Sequence, residues 1–350
     1  MKAVFSALQL SHAPTRYLSK GHIVPFPDSP ARARALLTGA REAGAQICAT
    51  RRYDSSIFQG IHLRGYLDFL SSGFADWRAI DGTGPELMPS LRPGYPPLFM
   101  SGNIFARAGR FLMDFSCPLT EQTWQSAETS AMSAITAADI VLGGEPLAYA
   151  LCRPPGHHAY SNRASGFCYL NNSALVAQRL RQVHERVAIL DVDVHHGNGT
   201  QAIFYRRPDV LTVSIHGDPA DFYPFYWGSE GETGEGEGSG YNVNLPLPVG
   251  AGDDAWLNAL DQALASIQKF APTALVVALG LDAHEADPLK GGKVTQGGFA
   301  RIAEHIASLS LPTVLVQEGG YLTVHLSDNL AMFLTAFEGA LEKPVQRSPQ

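Results

Sequence analysis

Five short runs of Val, Ile, Leu and Ala constrain the fold of this chain more than any other feature: Leu147–Cys152, Val187–Val194, Val210–His216, Ala274–Leu281 and Thr313–Gln317. Continuous apolar runs of this length suit strands covered on both faces, as in a parallel sheet with helices on either side. Helical patterns alternate with them over Ser126–Leu142, Ser173–Val183, Asp254–Phe270, Gly298–Leu309 and Asp328–Leu341. The first opens on a cap-type Ser and stops at Gly143-Gly144. Met1–Leu8 reads as a first strand. This alternation predicts an α/β fold, a single domain with a mostly parallel β-sheet flanked by helices. The domain is expected over residues 1–341, with Gly82–Gly109 as a long, ordered inserted loop rich in Pro, Gly and aromatics. Gly228–Gly240 is expected to be flexible and acidic, and residues 342–350 to form a frayed polar tail.

With 350 residues the chain can bury one large core. Its net charge of −7 argues against nucleic acid as a main partner, because phosphate binding needs basic surface. No apolar stretch is long enough to span a bilayer, and the first residues carry no charged-then-apolar leader pattern. Cys48, Cys117, Cys152 and Cys168 form no CxxC pair and sit beside apolar residues, which suits buried thiols in a reducing cytoplasm.

Four of the apolar runs lead straight into chemically loaded segments: ALCRPPGHH into His157-His158, VAILDVDVHHGNG through Asp191, Asp193 and His195, ALVVALGLDAHEADP through Asp282, and TVLVQEGGY to Tyr321. In open parallel sheets, ligands bind outside the carboxyl ends of the strands, so the four ends converge on one crevice. Asp191, Asp193 and His195 are spaced i, i+2, i+4, and an extended backbone would project them to one side. Two buried carboxylates there need a cation or hydrogen bonds. Asp193, His195 and Asp282 make a three-ligand set with positions left open, the pattern of a catalytic metal site. Read without the rest, they are two capping aspartates and a core histidine. The tandem histidines follow Pro154-Pro155-Gly156, a turn that keeps their rings off a helix. A histidine suits acid–base work on water, and Tyr321 can offer a phenol to a carbonyl oxygen gaining charge.

Taken together, QGIHLRGYLDFL, RPPGHHA, GFCYLNN, ILDVDVHHGNGTQ, SIHGDP, ETGEGEGSGYNVNLPLP, LGLDAHEADP and QEGGY closely resemble the histone deacetylase superfamily, nearest its acetylpolyamine amidohydrolase-like bacterial branch. The resemblance implies an arginase/deacetylase-like architecture and metal-dependent hydrolysis of N-acyl, typically N-acetyl, amides. Asp193, His195 and Asp282 match the ligands of one divalent metal, which polarises the carbonyl and acidifies water. Zinc is expected, with iron(II) or cobalt(II) as alternatives for such a shell. His157 matches the histidine paired with a buried carboxylate, here Asp191, and His158 the one paired with Asn198. An Asp partner favours imidazolium and an Asn does not. His158 is therefore the expected base and later acid, and His157 its electrostatic partner. Tyr321 matches the carbonyl-binding phenol, and Phe167 and Tyr223 the walls of a narrow tunnel. Asp191, Asp193, His195, Ser214 and Ile215 match a structural potassium site, and Arg32 a residue behind the metal. Gly82–Gly109 falls where the branch carries a loop that pairs subunits, so a homodimer acting on a small-molecule or acyl-lysine-type amide is expected.

Two-metal ureohydrolases share a D-x-H core, but Gly197 and His284 stand where bridging carboxylates would be needed. A non-catalytic binding protein on this scaffold would have lost a ligand, a histidine or the tyrosine, and none is lost. An iron oxygenase would need a jelly roll. Acidic positions of polyamine-specific relatives fall on Tyr17 and Ser116, which carry no charge. The expected substrate is thus a neutral amide, with Tyr17, Phe225, Tyr226 and Trp227 at an aromatic mouth. The alternative is a dedicated acetylpolyamine deacetylase with charge supplied by Glu121 or the acidic loop. Glu230, Glu232, Glu235 and Glu237 are expected to be a solvated face. His216 and His284 are expected to be structural, and His12, His22, His62, His184, His305 and His325 carry no partner pattern.

Overall fold

The computed structural model describes residues 1–91 and 101–342. Eight strands form one sheet: β1 Lys2–Phe5, β2 Gln46–Ala49, β3 Leu147–Ala150, β4 Val187–Asp191, β5 Val210–Gly217, β6 Asn242–Leu247, β7 Ala274–Leu279 and β8 Thr313–Gln317. Their spatial order is β2-β1-β3-β8-β7-β4-β5-β6, and every neighbouring pair is parallel. Successive residues serve opposite faces. Val187 and Ile189 join the core under the helices Arg64–Arg78, Thr123–Leu142 and Asn172–Leu180. Ala188 and Leu190 join the core under Pro30–Glu42, Asp253–Phe270, Gln296–Ala307 and Leu326–Glu342. Both faces being covered explains why β3, β4, β5, β7 and β8 are buried at every residue and read as largely apolar runs. No described helix is long and apolar enough to cross a membrane.

Several expectations need correcting. The first strand ends at Phe5 and a 3₁₀ turn follows over Ala7–Ser11, begun by Ser6, whose hydroxyl accepts from the Leu8 N–H. β4 stops at Asp191, so Asp193 and His195 lie on bent backbone rather than on a strand. The segment expected to be an inserted loop carries the helix Ile104–Phe111, capped by Asn103, and its residues 92–100 lie outside the described ones. Of the expected tail, residues 343–350 also lie outside. The acidic loop is tied down: Glu232 accepts from Gly228 N–H at 3.0 Å and from the Gln201 amide, and Glu235 pairs with Arg206 at 2.8 Å. Glu230 and Glu237 are exposed. All four cysteines are free thiols, and Cys48 is half-buried rather than buried.

His12 and His62 turn out to be core residues. His62 Nδ1 donates to Tyr160 O at 3.1 Å, while its Nε2 accepts from Asn171 N–H at 2.9 Å. Burial lowers its pKa to about 4, and burial together with the Arg153 charge takes His12 to about 3. Both groups bind protons less readily folded than unfolded. Their stability contribution is therefore intact above pH ~6.5 and falls as the pH drops toward the folded values. A loss of about 3 kcal/mol per histidine between pH 6.5 and 4 is expected, read as a falling urea midpoint. A midpoint flat over that window would contradict the neutral, buried assignment.

Candidate active site

The strand order sets the five ends of β3, β8, β7, β4 and β5 side by side. From β4 onward, side chains fold the backbone. Asp191 Oδ1 accepts from Asp193 N–H at 3.1 Å and Asp193 Oδ1 from His195 N–H at 2.8 Å. Asp282, after β7, accepts from Val194 N–H at 3.0 Å. Asp193 Oδ2 takes the Gly319 N–H at 2.7 Å from the segment after β8. Gly319 is obligatory here, because a β-carbon would strike the carboxylates of Asp282 and Asp193.

These bonds aim three donor atoms at one point. His195 Nδ1 lies 3.0 Å from Asp193 Oδ1 and 3.2 Å from Asp282 Oδ2, and the ligand atoms all fall within 4.8 Å of one another. Phe222 stacks on the imidazole at 4.9 Å and fixes its plane. Asp193 and Asp282 are fully buried. Burial and then the Asp193 charge push the Asp282 carboxyl up, while the His157 and His195 rings hold Asp193 down against its own burial. Two buried carboxylates competing for one imidazole is a costly arrangement, and a divalent cation between them would relieve it. The donor set fits such an ion.

The tandem histidines differ in their partners. His157 Nδ1 is 2.9 Å from Asp191 Oδ2, and His158 Nδ1 is 2.6 Å from Asn198 Oδ1. Against the burial that opposes its charge, Asp191 and then Asp193 raise His157 to about 10. Burial and then the His157 charge hold His158 well below the usual imidazole range. The loop bearing them is anchored by Glu318, a fully buried carboxylate absent from the sequence-based set. It accepts from Gly156 N–H at 2.6 Å, His157 N–H at 3.0 Å and the Ser173 hydroxyl at 2.8 Å. A charged residue closing an apolar run was the available signal.

Tyr321 is 5% exposed and its backbone N–H donates to Asp287 Oδ2 at 2.9 Å. Burial, then the Asp282 charge, raise its phenol well above the usual value, so the hydroxyl keeps its proton. Arg32 lies behind the ring, 5.6 Å from its centroid, pairs with Asp28 at 3.0 Å and donates to the carbonyls of Gly320 and Glu318. Ser214 sits opposite Asp191 in the β4–β5 register, next to Ile215, and its hydroxyl meets His216 Nδ1 at 2.9 Å. His216 Nε2 donates to Gly228 O at 2.9 Å, and His284 Nδ1 accepts from Ala286 N–H at 3.2 Å.

A cavity of about 510 Å³ runs from His158, His195 and Tyr321 to the surface. Phe167, Tyr223, Ser116 and Tyr17 all face it, and so does Phe225; Tyr226 and Trp227 do not. Asp114, missed in the sequence, holds the wall together: its Oδ2 accepts from the Tyr223 hydroxyl at 2.7 Å, and its Oδ1 from Ser116 N–H at 2.9 Å.

A parallel α/β sheet whose strand ends gather a buried Asp–His–Asp donor set, paired histidines and a protonated phenol defines the class of metal-site hydrolases. A histone deacetylase domain matches residues 26–337, and the chain belongs to that family. It is an amidohydrolase. An acetylpolyamine amidohydrolase from Burkholderia pseudomallei is 45% identical over 97% of this chain and 99% of its own length. Acetylpolyamine amidohydrolase 1 from Pseudomonas aeruginosa is 40% identical over 97% and 99%. The crystal structure of acetylpolyamine aminohydrolase from Burkholderia pseudomallei superposes with a TM-score of 0.94 over 97% of this chain and 99% of that one.

Proposed function

We propose that this enzyme deacetylates a small N-acetylated amine, with Asp193, His195 and Asp282 holding one divalent metal, zinc in the first instance. The observation that carries the reading is the inequivalence of the two histidines above that donor set: one beside a carboxylate, one beside an amide. Once bound, the metal would act as a Lewis acid on the acyl carbonyl and acidify the attacking water.

The remaining work falls to side chains. With Nδ1–H donated to Asn198 Oδ1, His158 presents a bare Nε2 toward the cavity, able to take a proton from water. As the C–N bond breaks, the same nitrogen returns that proton to the leaving amine. His157, held as imidazolium by Asp191, supplies positive charge as the oxyanion forms. The Tyr321 hydroxyl donates to the carbonyl oxygen, more strongly as it gains charge. Phe167 and Tyr223 exclude water from the acyl-amine path. A potassium ion under the site would be held by backbone oxygens of Asp191, Asp193, His195 and Ile215 with the Ser214 hydroxyl.

Tyr321→Phe tests this. It should retain fold and metal and lose about a hundredfold or more in kcat, the size of a lost oxyanion donor. A change confined to KM would reduce the phenol to a binding role. The names of the relatives favour a second reading, a dedicated acetylpolyamine deacetylase. We further propose a cytoplasmic homodimer paired through the segment 82–109. Light scattering at micromolar concentration should give twice the chain mass, and a monomer would contradict the pairing.

A further inference from the structure

The nature of the amine half of the substrate is written in the outer cavity, and this inference rests on the deacetylase reading above. Three large apolar side chains stand in solvent at the cavity rim: Leu18, Phe115 and Phe225, which are 38%, 40% and 57% exposed. Phe225 also sits at φ 64°, in the left-handed region that a residue with a β-carbon rarely adopts. The Phe225 N–H donates to Phe222 O at 3.0 Å, and the ring meets Tyr223 edge-on at 6.2 Å. On the other wall Phe167 has φ 67° and packs edge-on against Tyr17 at 5.2 Å. Two aromatic rings are thus presented from disfavoured backbone along the route the amine must take.

Few charges face the outer cavity. Among the described residues they are Lys20, Asp114 and Asp221, besides the site itself. Asp114 is already committed. Its Oδ2 accepts from the hydroxyls of Tyr223 at 2.7 Å and Ser165 at 3.2 Å and from Gly166 N–H at 3.4 Å. Its Oδ1 accepts from Ser116 N–H at 2.9 Å and from the Ser116 hydroxyl. A carboxylate has about four acceptor positions, so neutral donors already engage most of this one, and a distal ammonium would have to displace them. Lys20 and Asp221 are exposed and opposite in sign, and their fields offset each other in water.

We propose that the outer cavity is a subsite for a neutral, planar amine half, as in an N-acetyl arylalkylamine, and that Phe225 is the residue that selects for it. The test compares kcat/KM of the metal-loaded enzyme on N-acetylphenethylamine, N-acetylpentylamine and N-acetylputrescine, for the wild type and for Phe225→Ala. The exposed position lets the variant keep its fold. The wild type should prefer the aromatic amide over both others by about tenfold, the scale of a well-packed aromatic contact. In Phe225→Ala the aromatic-to-aliphatic ratio should fall about fivefold, chiefly through KM of the aromatic amide. Putrescine preferred, or aromatic and aliphatic amides turned over alike, would overturn the subsite. An unchanged ratio in the variant would overturn the role of Phe225. Turnover of none of the three would instead overturn the deacetylase reading, and the subsite with it.

Discussion

Asp282→Ala should lose its bound metal and its turnover together, and Asp193→Ala and His195→Ala should do the same. Each side chain supplies one of the three donor atoms that converge within 4.8 Å, so removing one leaves an ion with two protein ligands. The loss also spreads. Asp282 accepts from Val194 N–H and Asp193 from His195 N–H, so either alanine releases the backbone that aims His195. Metal content measured by elemental analysis should fall from one per chain to near zero. Turnover should drop on the order of a thousandfold or more, since both carbonyl polarisation and water activation go with the ion. Circular dichroism should still show the α/β fold, which is carried by two large hydrophobic cores. Stoichiometric metal and near-normal turnover in any of the three would sink the ligand assignment.

His158→Ala should retain the metal and lose about a thousandfold in kcat, within the range of a missing general base. The ring stands edge-on to His195, 5.8 Å between centroids, and serves proton transfer rather than holding the amine half, so KM should change little. His157→Ala should cost less, because it removes charge rather than the proton acceptor. Equal losses in both variants would mean that the Asp191 and Asn198 partners do not separate the two roles.

How much of this was legible in the sequence depended on burial. Strands β3, β4, β5, β7 and β8 lie under helices on both faces, and burial on both sides writes a largely apolar run. The edge strands β2 and β6 escaped notice. Gln46–Ala49 is short and partly exposed, and Asn242–Leu247 alternates buried asparagines with half-buried residues and contains Pro246. Asn242 and Asn244 are polar because they bond Gln201 and the acidic loop, partners that no local pattern reveals. The motifs named the Asp–His–Asp donor set and the tandem histidines, since those residues follow directly on readable strands. Strand order was not legible: β8 and β7 insert between β3 and β4, which brings Tyr321 beside Arg32 and Phe167, more than a hundred positions earlier, and Asp282 beside Val194 and His195, 88 and 87 positions earlier. Asp114 and Glu318 were missed for the same reason, as their partners Tyr223 and His157 are 109 and 161 positions away.

The central claim is that a single divalent ion on Asp193, His195 and Asp282 is required for amide hydrolysis. It is tested most directly by stripping the protein with a chelator and titrating zinc back while following deacetylation of an N-acetyl amine. Activity should be absent at the start, rise linearly and reach its plateau at one zinc per chain. Full activity in the rigorously metal-free protein would contradict the account.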